Sequence, residues 1–95
     1  MADVLWTEEA KRDLRDLLET ATSRSERRGA DLRHQFEAIA YHLERHPQIG
    51  RTSPELSNPA VRDVVIDRFR LVYYLSEDLS SHSILCIVDS RVGLL

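Results

Sequence analysis

Apolar residues in the first half of the chain recur three or four positions apart, the spacing of one face of an α-helix. The polar run 23–25 separates two such stripes, so the pattern predicts two helices joined by a short corner. Thr7 and Ser23 are predicted to cap them, because each precedes a glutamate of a first helical turn. Pro47 disfavours helical geometry at the preceding residue, so the second helix should end at His46. The stripes are Ala10, Leu14, Leu17, Leu18 and Ala21, then Leu32, Phe36, Ile39, Ala40 and Leu43.

The second half of the chain alternates with the two-residue period of β-strands. Residues 61–75 are β-branched and aromatic but too long for one ordinary strand, so a tight turn at Asp67-Arg68 is predicted to fold them into a hairpin. The run 3–6 predicts a first strand, and 84–88, apolar on both faces, a last one. Residues 48–59 are predicted to form a loop and 77–81 a turn.

The resulting order, β-α-α-β-β-β, predicts an α+β fold with an antiparallel sheet and the helical hairpin packed on one face. A chain of 95 residues is enough for one domain, 1–95, with one modest core. Both sheet faces carry apolar residues, yet one helical layer covers one face. We therefore expect apolar surface to remain for a partner.

Composition narrows the class of protein. A formal net charge of −3 opposes general nucleic-acid binding, whose footprint is basic. Cys86 is the only cysteine, which excludes a disulfide framework, and it is predicted to be a small core residue. No apolar run reaches membrane length or resembles a signal peptide, so we expect a cytoplasmic protein without membrane contact.

Two constellations with possible chemistry are set aside. His42 and His46 are spaced to reach one metal ion, but Leu43 stands where a zincin helix needs glutamate, and no third ligand is evident. A Ser83-His82-Asp89 triad lacks a nucleophile elbow. Glycine-rich phosphate loops are absent from the sequence, so neither a cofactor nor a metal site is predicted.

Four arginines cluster in the C-terminal half, on predicted strands or at their ends: Arg62, Arg68, Arg70 and Arg91. Arg62 and Arg68 are six positions apart and would share a face of a regular strand. Two interpretations stay open at this point. The arginines contact an anionic target, or they are edge charges that block aggregation.

Three stretches, in this order and spacing, resemble the RelE/ParE family of bacterial toxins. The first is residues 5–14 (LWTEEAKRDL), similar to the family's first strand and helix start. The second is 46–51 (HPQIGR), similar to its turn after the second helix, and the third is 69–74 (FRLVYY), similar to its aromatic-Arg-aliphatic-aliphatic-Tyr strand. The resemblance implies a compact α+β toxin that a cognate antitoxin holds inactive.

The family has two branches with different chemistry. RelE-like members cut messenger RNA on the ribosome with basic residues and often a C-terminal Tyr or His, whereas ParE-like members lack that set and are associated with inhibition of DNA gyrase. Here Asp89 stands where many members place His, no Tyr follows Arg91, and the one lysine, Lys11, lies on the first helix. RNA cleavage needs an acid–base pair and cations. These departures favour the ParE-like branch.

The resemblance implies a toxin that binds gyrase without chemistry of its own and causes growth arrest. Its partners would be a ParD-like antitoxin, in a hetero-oligomer, and gyrase, with no direct sequence-specific nucleic-acid binding. Arg91 falls on a recurring basic position of the C-terminal segment 89–95, so Arg91→Ala is predicted to abolish toxicity and spare the fold. The expected target-contacting residues are Arg62, Arg68, Arg70, Tyr74, Asp89 and Arg91, and the expected antitoxin-contacting residues are Leu14, Leu18, Val72, Ile87 and Leu94.

Two alternatives stay open. The first is a ribosome-dependent endoribonuclease, in which the four arginines cradle the phosphate with Tyr73 or Tyr74 close by. The second is a non-toxic relative that pairs with an antitoxin-like partner.

Overall fold

The computed structural model describes residues 2–52 and 57–91. Within them the elements follow the order β1, α1, α2, β2, β3, β4, β5. The helices are Glu8–Arg24 (α1) and Glu26–Arg45 (α2). The strands are Asp3–Trp6 (β1), Arg51–Thr52 (β2), Val61–Ile66 (β3), Phe69–Leu75 (β4) and Ser81–Asp89 (β5). In this part of the chain, neither helix combines the length and hydrophobicity that a membrane crossing requires.

The strands form one sheet in the order β1-β5-β4-β3-β2. The predicted α+β fold is confirmed, with the helical hairpin on one face. The sheet is mixed rather than wholly antiparallel, because β1 pairs with β5 in parallel while the other neighbours are antiparallel. Parallel neighbours require a long crossover, and here the helical hairpin and the intervening strands supply it.

The helical corner is tighter than the sequence pattern predicted. Thr7 caps α1 as expected, because its Oγ accepts the Ala10 N–H at 3.1 Å. The cap of α2 is Ser25 instead of Ser23, whose hydroxyl donates to the Thr20 carbonyl within α1. Ser25 is the single extended residue between the helices and ends one while starting the other. The predicted helix end is confirmed, with His46 as the C-cap of α2.

The hairpin of β3 and β4 turns at Asp67-Arg68, as predicted. Asp67 has φ 57°, a left-handed conformation that Asp tolerates better than most residues. The predicted loop 48–59 contains the short strand β2, because Arg51 and Thr52 pair with β3. β5 is longer than predicted, since its first residues pair with β1 and its last residue with Phe69.

The core lies between the helices and one face of the sheet. Alternate residues of β4 face it, so Arg70, Val72 and Tyr74 lie on the opposite face, called here the second face. On that face Val72 is 2% exposed and Arg70 5%, whereas Tyr74 is 39% exposed. The core side chains are Ala10, Leu18, Ala21, Leu32, Phe36, Leu43, Ile66, Phe69, Leu71, Tyr73, Leu75, Ile84 and Ile87.

Candidate functional site

The residues expected to contact the target fall in three separate places. Arg68, Asp89 and Arg91 come together where the β3–β4 turn meets the end of β5. Arg70 and Tyr74 lie on the second face, and Arg62 lies under the turn that follows α2. We call the first group, with Asp67 and Ser90, the charged end.

A carboxylate shared by two guanidinium groups organises the charged end. Arg91 donates to both Asp89 oxygens, through Nε at 3.1 Å and Nη2 at 2.8 Å, and its backbone N–H donates to the same carboxylate at 3.0 Å. Arg68 Nε lies 3.3 Å from Asp89 Oδ2. The hydrogen bonds from Arg91 lower the pKa of Asp89 to about 2, so this carboxylate is ionised throughout the physiological range.

Backbone contacts fix the same end of the molecule. The Ser90 N–H and hydroxyl both donate to the Arg68 carbonyl at 2.7 Å, which ties the end of β5 to the hairpin turn. The guanidinium of Arg68 lies 5.2 Å from the Phe69 ring centre, within cation–π range. Arg28 of α2 donates to Asp67 at 2.7 Å, so the turn is also tied to the helical layer.

Arg70 has a structural environment. Its side chain is 6% exposed, and its Nη2 lies 2.7 Å from the carboxylate of the buried Asp63. Arg51 Nε lies 3.1 Å from the other oxygen of that carboxylate. A buried charge is retained in a fold when it is paired and hydrogen-bonded. Arg70 therefore holds β3 and β4 together on the second face.

Arg62 belongs to a second hydrogen-bonded group, which we call the clamp and which also contains Tyr73, Pro47 and Gly50. The Tyr73 hydroxyl donates to the Pro47 carbonyl at 2.8 Å and accepts the Gly50 N–H at 2.9 Å. Arg62 Nη1 donates to the Gly50 carbonyl at 2.8 Å. Burial raises the pKa of Tyr73, so the hydroxyl stays protonated. Arg62 and Arg68 do not share a strand face, because β3 ends at Ile66 and Arg68 lies in the turn.

The clamp was not foreseen from the sequence. Two of its members lie in the family-like turn 46–51 and one in the family-like strand 69–74. Only glycine fits at position 50, because a Cβ there would lie 2.7 Å from both the Asp63 carbonyl and the Tyr73 hydroxyl. The sequence signal that could have pointed to the clamp was the presence of both family-like stretches in one chain.

The residues expected to contact an antitoxin do not form one surface. Leu14 and Leu18 line adjoining cavities of about 680 and 320 Å³ beside Trp6, along the helical hairpin. Ile87 lines a separate cavity of about 330 Å³ next to the charged end. Val72 is buried on the second face. Leu94 lies outside the described residues.

The remaining constellations also have definite positions. His82 faces the core and Ser83 the second face, so the Ser-His-Asp triad does not assemble. The Cys86 side chain is half-buried and lies outside the core cluster, so its predicted core position is wrong. Burial, with Glu9 and Asp13, raises its pKa. Among the described residues, no group of three or more His, Cys, Asp or Glu could hold a metal ion.

Comparisons with known proteins identify the family. The family described as ParE toxin of type II toxin-antitoxin system, parDE, matches residues 4–91. The chain therefore belongs to the ParE family of type II toxins. No match was found among curated proteins.

Solved structures of similar fold include two from toxin–antitoxin systems. One is described as a chromosomal ParDE TA system from P. aeruginosa, with a TM-score of 0.73, 17% identity and coverage of 94% of this chain and 96% of that one. The other is the toxin-antitoxin complex RelBE2 from Mycobacterium tuberculosis, with a TM-score of 0.65, 21% identity and coverage of 93% and 96%.

Proposed function

We propose that this toxin arrests growth by binding DNA gyrase, without chemistry of its own. The observation that carries the proposal is the pairing of Asp89 with Arg91 and Arg68, at the position where many members of the family place His. General acid–base catalysis is efficient when the catalytic pKa lies near the working pH. A carboxylate with a pKa of about 2 that is bound by Arg91 and Arg68 has no proton to give and little tendency to take one.

The positions of the arginines also favour binding over RNA cleavage. A ribonuclease would need several of them around one phosphate. Arg70 is buried against Asp63, and Arg62 is bound to the Gly50 carbonyl in the clamp. Arg68 and Arg91 are left as the pair that shares an exposed site, with side chains 37% and 68% exposed.

A supercoiling assay with purified gyrase tests the proposal. Micromolar toxin should block supercoiling, and induced expression in cells should halt division and trigger the DNA-damage response. Primer extension on ribosome-bound transcripts should show intact messages. Unaffected gyrase at micromolar toxin contradicts the proposal, cleaved messages establish the ribonuclease alternative, and normal growth on expression identifies a non-toxic relative.

We propose further that a ParD-like antitoxin neutralises the toxin by docking along the helical hairpin, beside Trp6 and Leu14. The two solved structures named above are described as a toxin–antitoxin system and a toxin–antitoxin complex. The adjoining cavities share Trp6, Leu14 and Leu18 as an apolar floor between charged side chains. An amphipathic helix buries its apolar face in a groove of this kind. Other expected contacts, Val72 and Ile87, are buried in the isolated chain.

Co-purification tests this docking surface. Leu14→Glu should abolish recovery of the antitoxin with the toxin, because a carboxylate in an apolar interface is costly to desolvate. Val65→Glu is the matched control, since Val65 is 56% exposed on the second face, and it should co-purify normally. Equal recovery of the antitoxin with both variants would exclude the groove.

A further inference from the structure

We propose that Asp89 is a positioning residue, which holds Arg91 in one orientation toward a carboxylate on the target protein. The inference deepens the proposed function and rests on it for the identity of the target. It assigns different roles to two neighbours that the sequence grouped together. Arg91 makes the contact, and Asp89 acts through Arg91.

Several hydrogen bonds hold Arg91 in place although its side chain is exposed. Three hydrogen bonds join it to the Asp89 carboxylate, two from the guanidinium and one from its own backbone. Ser90, the residue between them, is fixed by two hydrogen bonds to the Arg68 carbonyl. A long, exposed side chain ordinarily samples many rotamers, so this arrangement lowers the ordering cost of a later contact.

Exposure separates the two roles. The Arg91 side chain is 68% exposed and that of Asp89 is 19% exposed. A guanidinium has five N–H donors, and the side-chain hydrogen bonds to Asp89 use two nitrogens, Nε and Nη2. Arg91 therefore keeps donors for a second anion, whereas the Asp89 carboxylate is already engaged by two cations.

The local charge defines the chemistry of the partner group. Three arginines, Arg28, Arg68 and Arg91, lie against two carboxylates, Asp67 and Asp89, which leaves one net positive charge at the charged end. An anionic group is therefore the complementary contact, and an arginine fork binds planar carboxylates and phosphates. The chain as a whole carries a formal charge of −3, which opposes approach to a nucleic-acid backbone. We therefore assign the contact to a protein carboxylate.

A double-mutant cycle tests the positioning role. The toxin and three variants, Asp89→Asn, Arg91→Ala and the double variant, are made by cell-free synthesis and titrated in the supercoiling assay. Glu8→Gln is the matched control, because it also removes a carboxylate from an exposed ion pair, the pair with Lys11 at 3.0 Å, but lies outside the charged end. Thermal melts monitor folding of every variant.

Asp89→Asn should weaken inhibition roughly 2- to 12-fold, the range expected when one rotamer-rich side chain loses its order. Glu8→Gln should match the wild type. The double variant should equal Arg91→Ala, because Asp89 has no further effect once Arg91 is gone. Additive losses, an unchanged Asp89→Asn variant or a fully active Arg91→Ala variant would overturn the proposal.

Two further measurements separate this inference from the proposed function. In the first, growth is measured after each variant is induced in cells, which compares the variants without assuming a target. If wild-type toxin spares gyrase, the gyrase proposal fails, and the positioning role is then decided by whether the cycle holds in the growth assay. Toxin is also mixed with duplex DNA in a mobility-shift assay. Retardation that Arg91→Ala removes would contradict the assignment of the contact to a protein carboxylate.

Discussion

The clamp and the charged end lie toward opposite ends of β4 and use arginine in opposite ways. In the clamp, Arg62 bonds a backbone carbonyl next to the buried hydroxyl of Tyr73. At the charged end, Arg68 and Arg91 share an exposed face with Asp89. A buried polar group that loses its partner is costly, whereas an exposed ion pair contributes little to stability.

This difference explains how one short chain combines a defined fold with an accessible site. The clamp joins the turn after α2 to the sheet through hydrogen bonds that are buried or part-buried. The charged end is joined to the rest of the molecule by the Arg28–Asp67 pair and by the two hydrogen bonds from Ser90. We therefore expect variants of the clamp to change stability and variants of the charged end to change activity.

The largest loss of stability is expected from Gly50→Ala. The new Cβ would meet the Asp63 carbonyl and the Tyr73 ring and hydroxyl at less than 3.0 Å, and the backbone of β3 cannot move aside cheaply. Overpacking of this kind should lower the free energy of unfolding by roughly 3 kcal/mol. Urea unfolding followed by circular dichroism measures it. Gln48→Ala, an exposed change in the same turn, is the control, and an equal small effect of both would exclude a tight clamp.

Tyr73→Phe should be the next most damaging change. It removes the hydroxyl that accepts from Gly50 and donates to Pro47, and so leaves two backbone groups without a partner. The expected loss is roughly 2 kcal/mol of unfolding free energy. Tyr74→Phe is the matched control on the second face, where the side chain is 39% exposed, and it should be nearly neutral. If Tyr73→Phe were as nearly neutral as Tyr74→Phe, water would be replacing the hydrogen bonds of the clamp.

The sequence predicted the elements of the clamp better than the clamp itself. Pro47 predicted the end of the second helix, and the two-residue period of β4 placed Tyr73 on the apolar face. Both features could be predicted because they depend on neighbouring residues only. The hydrogen bonds of Tyr73 with Pro47 and Gly50 span 26 and 23 positions, and no local pattern encodes a contact at that range. The capping residue was misplaced because the hydroxyls of Ser23 and Ser25 can both serve as caps, and in the structure it is Ser25 that accepts the Arg28 N–H.

Three members of the charged end were grouped by the sequence analysis, but their arrangement was not. Arg68, Asp89 and Arg91 were all expected at the site, and they do lie together. Arg70 alternates with core residues along β4 and was expected at the same site. Its burial follows from Asp63, which reaches it across the hairpin. Strand alternation predicts on which face of the sheet a residue lies. It does not predict whether other side chains will cover the residue on that face.

A smaller effect is expected from the pH dependence of His82. The side chain is fully buried, and neither ring nitrogen has a hydrogen-bond partner. Burial lowers the pKa of His82 below its ordinary value of 6.5. The unfolded chain therefore binds a proton as the pH falls through about 6.5, while the folded chain does not, and stability decreases. One such group contributes at most about 1.4 kcal/mol per pH unit.

Urea unfolding between pH 5.5 and 7.5 measures this contribution. The wild type should lose stability over that window, and His82→Leu, which has similar volume and no ionisable group, should lose less. The two proteins should have parallel curves above pH 7.5, where the imidazole is neutral in both states. Parallel curves across the whole window would show that His82 titrates normally and that its core environment admits the charge.

The smallest effect on stability, with the largest on activity, is expected from Arg91→Ala. Arg91 is highly exposed, and its ion pair with Asp89 lies at the surface, so the thermal midpoint should barely move. Toxicity should be lost, because the guanidinium that the charged end orients is gone, while the antitoxin should still co-purify. Growth on induction, a thermal melt and co-purification check the three expectations separately. Full toxicity would mean that the effector surface lies elsewhere, and unfolding would mean that Arg91 serves the fold as Arg62 does in the clamp.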